Sequence, residues 1–355
     1  MNRPVTMKDL ARSLNLAVST VARALADSPQ ISHETKALVR SAADNAGYVA
    51  DSAARAMRRG TSSLVGLIVP DVQNEFYSTV AKAISDCCHD HGLQLVLSIT
   101  DDDPDLELHH VRNLCSARAV GIVMVASANP ARETVRLLRV TPHVQLVRKC
   151  PKVESDWFGV DDVAALQQAT RHLIELGHTR IAYVGGSTDF STGADRLEGF
   201  RRAHDEAGLD PAGAVVETGG CDAEFAYAAM ARILGRAGPR STATVTAGAR
   251  IAVGAFDCLR ARGVDIPGEM SFVGFSDSPA FRWWGSGLTT IGLPVREIAL
   301  ACSAFLLRRA GLQQSSNALP YQAMHAPTLI VRGSSAPPRA LHSAVAAKER
   351  RAAMR

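Results

Sequence analysis

The sequence lacks any apolar run approaching the roughly 20 residues that cross a bilayer, which excludes a helical membrane protein. Its N-terminus has no signal-peptide h-region, so a cytoplasmic location is expected. The seven cysteines have no zinc-like spacing: Cys87 and Cys88 are adjacent and the others scattered. An odd number without a framework suggests reduced thiols rather than disulfides. No GxGxxG or GxxxxGK[ST] is present, and Gly185-Gly186 after RIAYV reads as a tight turn rather than a phosphate cradle. There is no GxSxG and no Ser/His/Asp set in a recognisable frame. His89, His91, His109 and His110 lack an acid partner at ligand spacing and read as solvated faces. No metal, cofactor or catalytic chemistry is expected. What remains is the composition of a globular chain, 46% hydrophobic and 21% charged, and at 355 residues long enough for more than one domain.

Charge is unevenly spread. Residues 1–60 hold nine Lys/Arg against five acids, and residues 336–355 five against one, so the 61–335 body is acidic. A basic head suits a polyanion at one end of the molecule. Within that head, Val5 to Leu25 reads VTMKDLARSLNLAVSTVARAL. Thr6 is a hydroxyl N-cap, Met7, Leu10, Ala11 and Leu14 follow at helical spacing, and Asn15 tolerates the positive φ of a turn. Val18, Val21, Ala22 and Leu25 begin a second stripe, while Ser19, Thr20 and Arg23 leave its outer face polar. Two short helices at such a turn form a helix-turn-helix, whose second helix enters the DNA major groove. An ordinary αα-corner would have less reason to keep that face polar and short-chained. A third helix starts at the Ser32 cap and ends at Gly47. Asp51–Arg59 has helical propensity but is too short to be stable alone, which leaves a linker or a segment that folds on binding.

From Leu64 strand and helix alternate. LVGLIVP, LQLVLSIT, GIVMVAS, VQLVR, RIAYVGG, VVET, TATVTAG and SFVGFS are buried-strand runs with helices between them. Continuously apolar strands separated by helices mean parallel sheets covered on both faces. About ten strands exceed one comfortable sheet, so two α/β lobes are expected, with a ligand at the strands' carboxyl ends between them. TDDDPD at 100–105 reads as a polar loop.

These features together resemble the LacI–GalR family of bacterial transcriptional regulators. The match runs from Val5 to about Gly333: the first stretch above, Gly47-Tyr48, AARAMRRGTSSLVGLIVPD, ATRHLIELGHTRIAYVGG, STGADRLEGFRRAHDEAGL and VDIPGEMSFVGFSDSPAF followed by GLTTI. The resemblance implies an N-terminal all-α helix-turn-helix headpiece plus an α/β two-lobed core of periplasmic-binding-protein type. It implies a headpiece over 1–50, a hinge helix over 51–60 and a core over 61–335. The N-lobe would span about 61–160 and 291–320, the C-lobe about 161–290 and 321–335, and 336–355 would be a basic tail. A near-palindromic operator, a homodimer and a small-molecule effector (a sugar, sugar acid or phosphorylated sugar) are the implied partners. The tail has alanines and arginines where a tetramerising leucine heptad would need leucines.

By the same resemblance Val18 and Ser19 read base edges, and Arg23 is the candidate for a guanine contact. Thr6 and Thr20 position phosphates. Ala17 stands where a serine cap is usual. Arg55 and Met57 belong to the hinge, Met57 as the minor-groove wedge, while Ala50 and Asp51 depart from the usual proline and asparagine. Phe76, Tyr77, Asp161, Thr192 and Arg196 line the effector cleft. Arg148 replaces a common aspartate, Gly248-Ala249 an Asn-Asp, Ser276 an aspartate and Cys221 an aromatic platform. Lost carboxylates and an added arginine point to an anionic effector, unless Arg148 pairs with Asp161 or Asp162 or effector binding has been lost. The implied function is a DNA-binding regulator, most simply a repressor. A transporter's solute-binding protein would share the two lobes but not residues 1–60.

Overall fold

The structure, a computed structural model, describes residues 5–48, 62–210, 214–311 and 321–339. It divides into two units, 1–62 and 63–355.

In the first unit α1 (Met7–Ser13), α2 (Val18–Leu25) and α3 (His33–Asn45) enclose a small core of Leu10, Ala11, Val21, Ala24, Val39 and Ala43. Thr6 caps α1 in a reciprocal box: its hydroxyl accepts from the Asp9 amide at 3.3 Å, and Asp9 accepts from the Thr6 amide at 3.0 Å. Asn15 turns the chain at φ 53°, a left-handed conformation that Asn tolerates. Asp27 makes the next turn at φ 57°, held by Lys36 at 3.1 Å and Arg40 at 2.9 Å. Those two cations, Lys36 first, hold its carboxyl below the ordinary aspartate range.

The second unit contains two six-stranded sheets. The first consists of β1 (Leu64–Val69), β2 (Gln94–Ile99), β3 (Gly121–Met124), β4 (His143–Leu146), β5 (Asp156–Val160) and β11 (Gln322–His325), in the order β11-β5-β4-β3-β1-β2, all parallel. The second consists of β6 (Ile181–Gly186), β7 (Val215–Gly219), β8 (Ala243–Ala247), β9 (Ser271–Phe275), β10 (Thr289–Gly292) and β12 (Thr328–Ile330), in the order β12-β10-β9-β8-β6-β7, with only β12 antiparallel.

Helices cover both faces. On the first sheet α4 (Glu75–Asp90) and α11 (Val295–Arg309) pack with Val65, Leu67 and Leu146, while α5 (Pro104–Ser116) and α6 (Arg132–Leu138) pack with Ile68, Ile122 and Met124. On the second sheet α7 (Asp162–Glu175) and α8 (Ser191–Glu206) take one face, and α9 (Ala223–Gly235) and α10 (Ala249–Ala261) the other. α7 and α8 lie so close that a Cβ at Gly199 would overlap the Val163 carbonyl.

The chain crosses between lobes after β5, after β10 and between β11 and β12. This moves the start of the last C-lobe segment from the expected residue 321 to the residues after His325, so β11, assigned above to the C-lobe, extends the first sheet. β5 escaped the sequence reading because DWFGV opens on a charge. Asp156 is buried, and Arg309 (2.9 and 3.0 Å) and the Tyr321 amide (2.7 Å) satisfy it. Gly185-Gly186 proved to be the end of β6 rather than a turn.

Candidate functional site

In the headpiece unit α2 presents Val18, 42% exposed, with Ser19 and Arg23 also exposed and Thr20 half-buried. Val21 and Ala24 on its opposite face are buried. A helix with one face in the core and the other short-chained and open can lie against base edges. Ala17 gives α2 no side-chain cap, which leaves its first amides to an outside acceptor such as phosphate. The Thr6 hydroxyl is engaged in the α1 cap. Arg55 and Met57, with the whole hinge 51–60, lie outside the described residues, as do Ala50 and residues 340–355 of the tail.

In the core unit the carboxyl ends of both sheets face a cleft with a cavity of about 80 Å³. Of the residues named from the sequence, Phe76, Tyr77, Arg148, Thr192, Arg196, Cys221 and Ser276 line it. Asp161 does not. Its carboxylate instead caps α7, accepting from the Ala164 amide at 2.9 Å. The cleft also takes in Asn74, Val147, Arg250 and Leu293, which the sequence reading did not name. Asn74 caps α4, accepting from the Phe76 amide at 3.1 Å, so the cap and the cavity wall share a residue. Val147 and Ser276, at the ends of β4 and β9, turn with φ 62° and 69°. Left-handed backbone is uncommon for a β-branched residue and marks a strained strand end.

The charges in the cleft are paired. Arg148, buried, donates to both carboxylate oxygens of Asp102, the second at 3.1 Å, and its guanidinium carbon lies 3.7 Å from the Phe190 ring centroid. The partner is therefore neither Asp161 nor Asp162, and the polar loop at 100–105 carries it. Asp103 from the same loop caps α5. Arg196 donates from Nε to Asp162 at 2.7 Å and from Nη1 to the Ala247 carbonyl at 3.1 Å, and it stacks 4.1 Å from the Phe275 centroid. Burial pushes the Asp162 carboxyl above its ordinary range, against the pull of Arg196. Arg250 bonds Gln73 at 2.9 Å and lies 3.5 Å from Asp71. Three arginines meet three aspartates, so the positive excess expected from the sequence is cancelled. Burial also holds the Tyr77 phenol above its ordinary range, which keeps it a neutral donor. Among the described residues, no cluster of His, Cys, Asp and Glu could hold a metal.

Residues 62–316 match the periplasmic binding proteins and sugar binding domain of the LacI family, and residues 6–51 match the bacterial regulatory proteins, lacI family. The chain belongs to the LacI family. This LacI-family chain is 31% identical to the HTH-type transcriptional regulator GalR of Escherichia coli (strain K12) over 337 residues, 94% of this chain and 96% of that one. Its fold superposes on the lac repressor dimer bound to operator and the anti-inducer ONPF, with a TM-score of 0.81 at 20% identity, covering 94% of this chain and 100% of that one. The transcriptional regulator CelR in complex with cellobiose matches at a TM-score of 0.68 and 25% identity, again over 94% and 100%. The chain is thus a DNA-binding transcriptional regulator with a sugar-binding type of core. No described helix is long and apolar enough to cross a membrane.

Proposed function

We propose that this regulator is a repressor that binds a near-palindromic operator as a homodimer and answers to a neutral sugar held between the lobes. The observation that carries the effector reading is the pairing of Arg148, Arg196 and Arg250 with Asp102, Asp162 and Asp71. A charged ligand would find no uncompensated cation there, whereas hydroxyls meet Asn74, Tyr77, Thr192 and the free edge of Arg196 over an apolar floor of Val160, Phe275 and Leu293. This replaces the anionic effector that the bare count of arginines suggested. The dimer is supported by apolar residues left open at the edge of each lobe: Leu97 and Ile99 on edge strand β2 with Leu106, and Val216 on edge strand β7 with Tyr227 and Val253. A two-fold dimer presents two identical readers, hence an operator of two inverted half-sites. A ligand that draws the lobes together and binds the closed form better biases an equilibrium shared with the DNA-bound state, and the coupling is reciprocal.

The test is a gel shift on fragments selected from the source genome, at about 50 and 200 mM salt, with galactose, glucose or ribose and with galacturonate or a sugar phosphate. Retention should be sequence-selective and salt-sensitive, and a neutral sugar should alter it. A response to the acids alone would overturn the neutral-sugar reading.

A further inference from the structure

Arg148 borders two cavities. On one side lies the cleft, about 80 Å³, and on the other a second cavity of about 230 Å³ lined by Ser127, Lys149, Cys150, Asp189 and Ser191 among others. Arg148 is the residue common to both linings, and the Phe190 ring stacked upon it belongs to the second. The partition thus has one half from each lobe: Arg148 follows β4, and Phe190 precedes α8. Beside it the Lys149 amide donates to the Ser191 hydroxyl at 2.8 Å, a second link between the same two segments.

The two halves differ in mobility. Arg148 is gripped through both terminal nitrogens by Asp102, in a loop where Asp101 and Asp102 sit at φ 50° and 61°. Swinging the arginine aside would leave the buried guanidinium without its half-buried partner, a large penalty for a charge already removed from water. Phe190 is only partly buried and has no polar tether, so the ring is the half that can be removed without unpairing a charge.

We propose that the Arg148–Phe190 pair sets the length of the effector, admitting one sugar ring to the closed cleft and shutting the second cavity off from it. The proposal rests on the neutral-sugar reading above. The cleft's free volume, about 80 Å³, is roughly a third of the second cavity's, about 230 Å³, so the cleft is what limits the length of a ligand. A two-ring sugar needs both cavities joined. The second cavity has groups a second ring would use, since the exposed Thr188 hydroxyl and Asp189 carboxylate in its lining supply a donor and acceptors.

The experiment is calorimetric titration of the full-length protein and its Phe190→Ala and Phe190→Leu variants with D-ribose, D-glucose, D-galactose, cellobiose and lactose. The wild type should favour a monosaccharide over the disaccharides by at least about tenfold, and Phe190→Ala should bring that ratio within about threefold, with Phe190→Leu between. A wild type that binds cellobiose or lactose as tightly as its best monosaccharide overturns the proposal, as does an unchanged ratio in both variants. If no neutral sugar binds any of the three proteins, the neutral-sugar reading falls. The partition is then judged by the crystal structure of Phe190→Ala. One continuous cavity with Arg148 still on Asp102 upholds it, and a gap refilled by other side chains overturns it.

Discussion

Asp102 shows how much one side chain decides about the cleft. Arg148 alone would be a buried cation next to the ligand, and it would make the site an anion receptor. With Asp102 on both terminal nitrogens it becomes a neutral wall. Replacing Asp102 by Asn keeps the shape and removes the charge, leaving a guanidinium uncompensated at a buried position. Breaking such a pair by removing one partner costs about 3 kcal/mol or somewhat more, because the other charge stays desolvated. Asp102→Asn should therefore lower the urea midpoint, and phosphate should restore part of the loss by supplying the missing negative charge near Arg148. The wild type should gain nothing comparable from phosphate. Equal protection of both proteins would show that Arg148 is not the group being compensated.

At the scale of elements, the three headpiece helices differ in how their first turns are closed. α1 and α3 have hydroxyl caps from Thr6 and Ser32, whereas α2 starts from Ala17 with none. The helix with the open, short-chained face is the one left uncapped. Ala17→Ser should stabilise the free headpiece by about 1 kcal/mol, and Thr6→Ala should destabilise it by a similar amount. Amide exchange across residues 5–48 in the full-length protein would read both, and slower exchange in α2 is the expected sign for Ala17→Ser. Those helices were legible in the sequence because each carries an apolar stripe, with a local hydroxyl cap opening α1 and α3. Eight strands were legible for a like reason, being short continuous apolar runs. β5 was not, since its first residue is a buried Asp156 whose charge is answered by Arg309, 153 residues further along the chain. β11 and β12 are edge or near-edge pieces with too little burial to leave a periodic mark. The cleft was legible as a set of lining positions but not as an electrostatic site. Arg148 could be named, yet its partner lies 46 residues away in a loop that looks like solvated acid, and only the fold brings the two together.

Over the whole molecule, the last described segment is sewn back onto the second sheet after the third crossing, and a buried histidine is at the seam. His178 Nδ1 lies 2.8 Å from the Thr242 hydroxyl, and Nε2 lies 2.9 Å from the Ala336 carbonyl and 3.1 Å from the Ser271 hydroxyl. Ser334 adds a bond from its hydroxyl to the Phe272 carbonyl at 2.6 Å and accepts from the Thr289 amide at 2.8 Å. Burial lowers the pKa of His178 below 6.5, as it does for His143 and His172. A histidine depressed in the folded state binds its proton more readily when unfolded. Its contribution is therefore intact above the ordinary histidine range and is lost as pH falls through that range, by at most about 1.4 kcal/mol per pH unit for each such group. Buried Asp162 and Glu107, whose pKa values burial raises, act with the opposite sign, so the total slope mixes both kinds of group. The comparison with a variant separates them. His178→Gln removes one titrating group while keeping a side chain that can donate and accept, and urea unfolding between about pH 7.5 and 5 should then lose less stability than in the wild type. The closing segment 334–336 should show the same trend in amide exchange, opening in acid in the wild type and less so in the variant. Identical pH slopes for the two proteins would mean that His178 takes up its proton alike in the folded and unfolded chains, and the seam would then owe nothing to its titration.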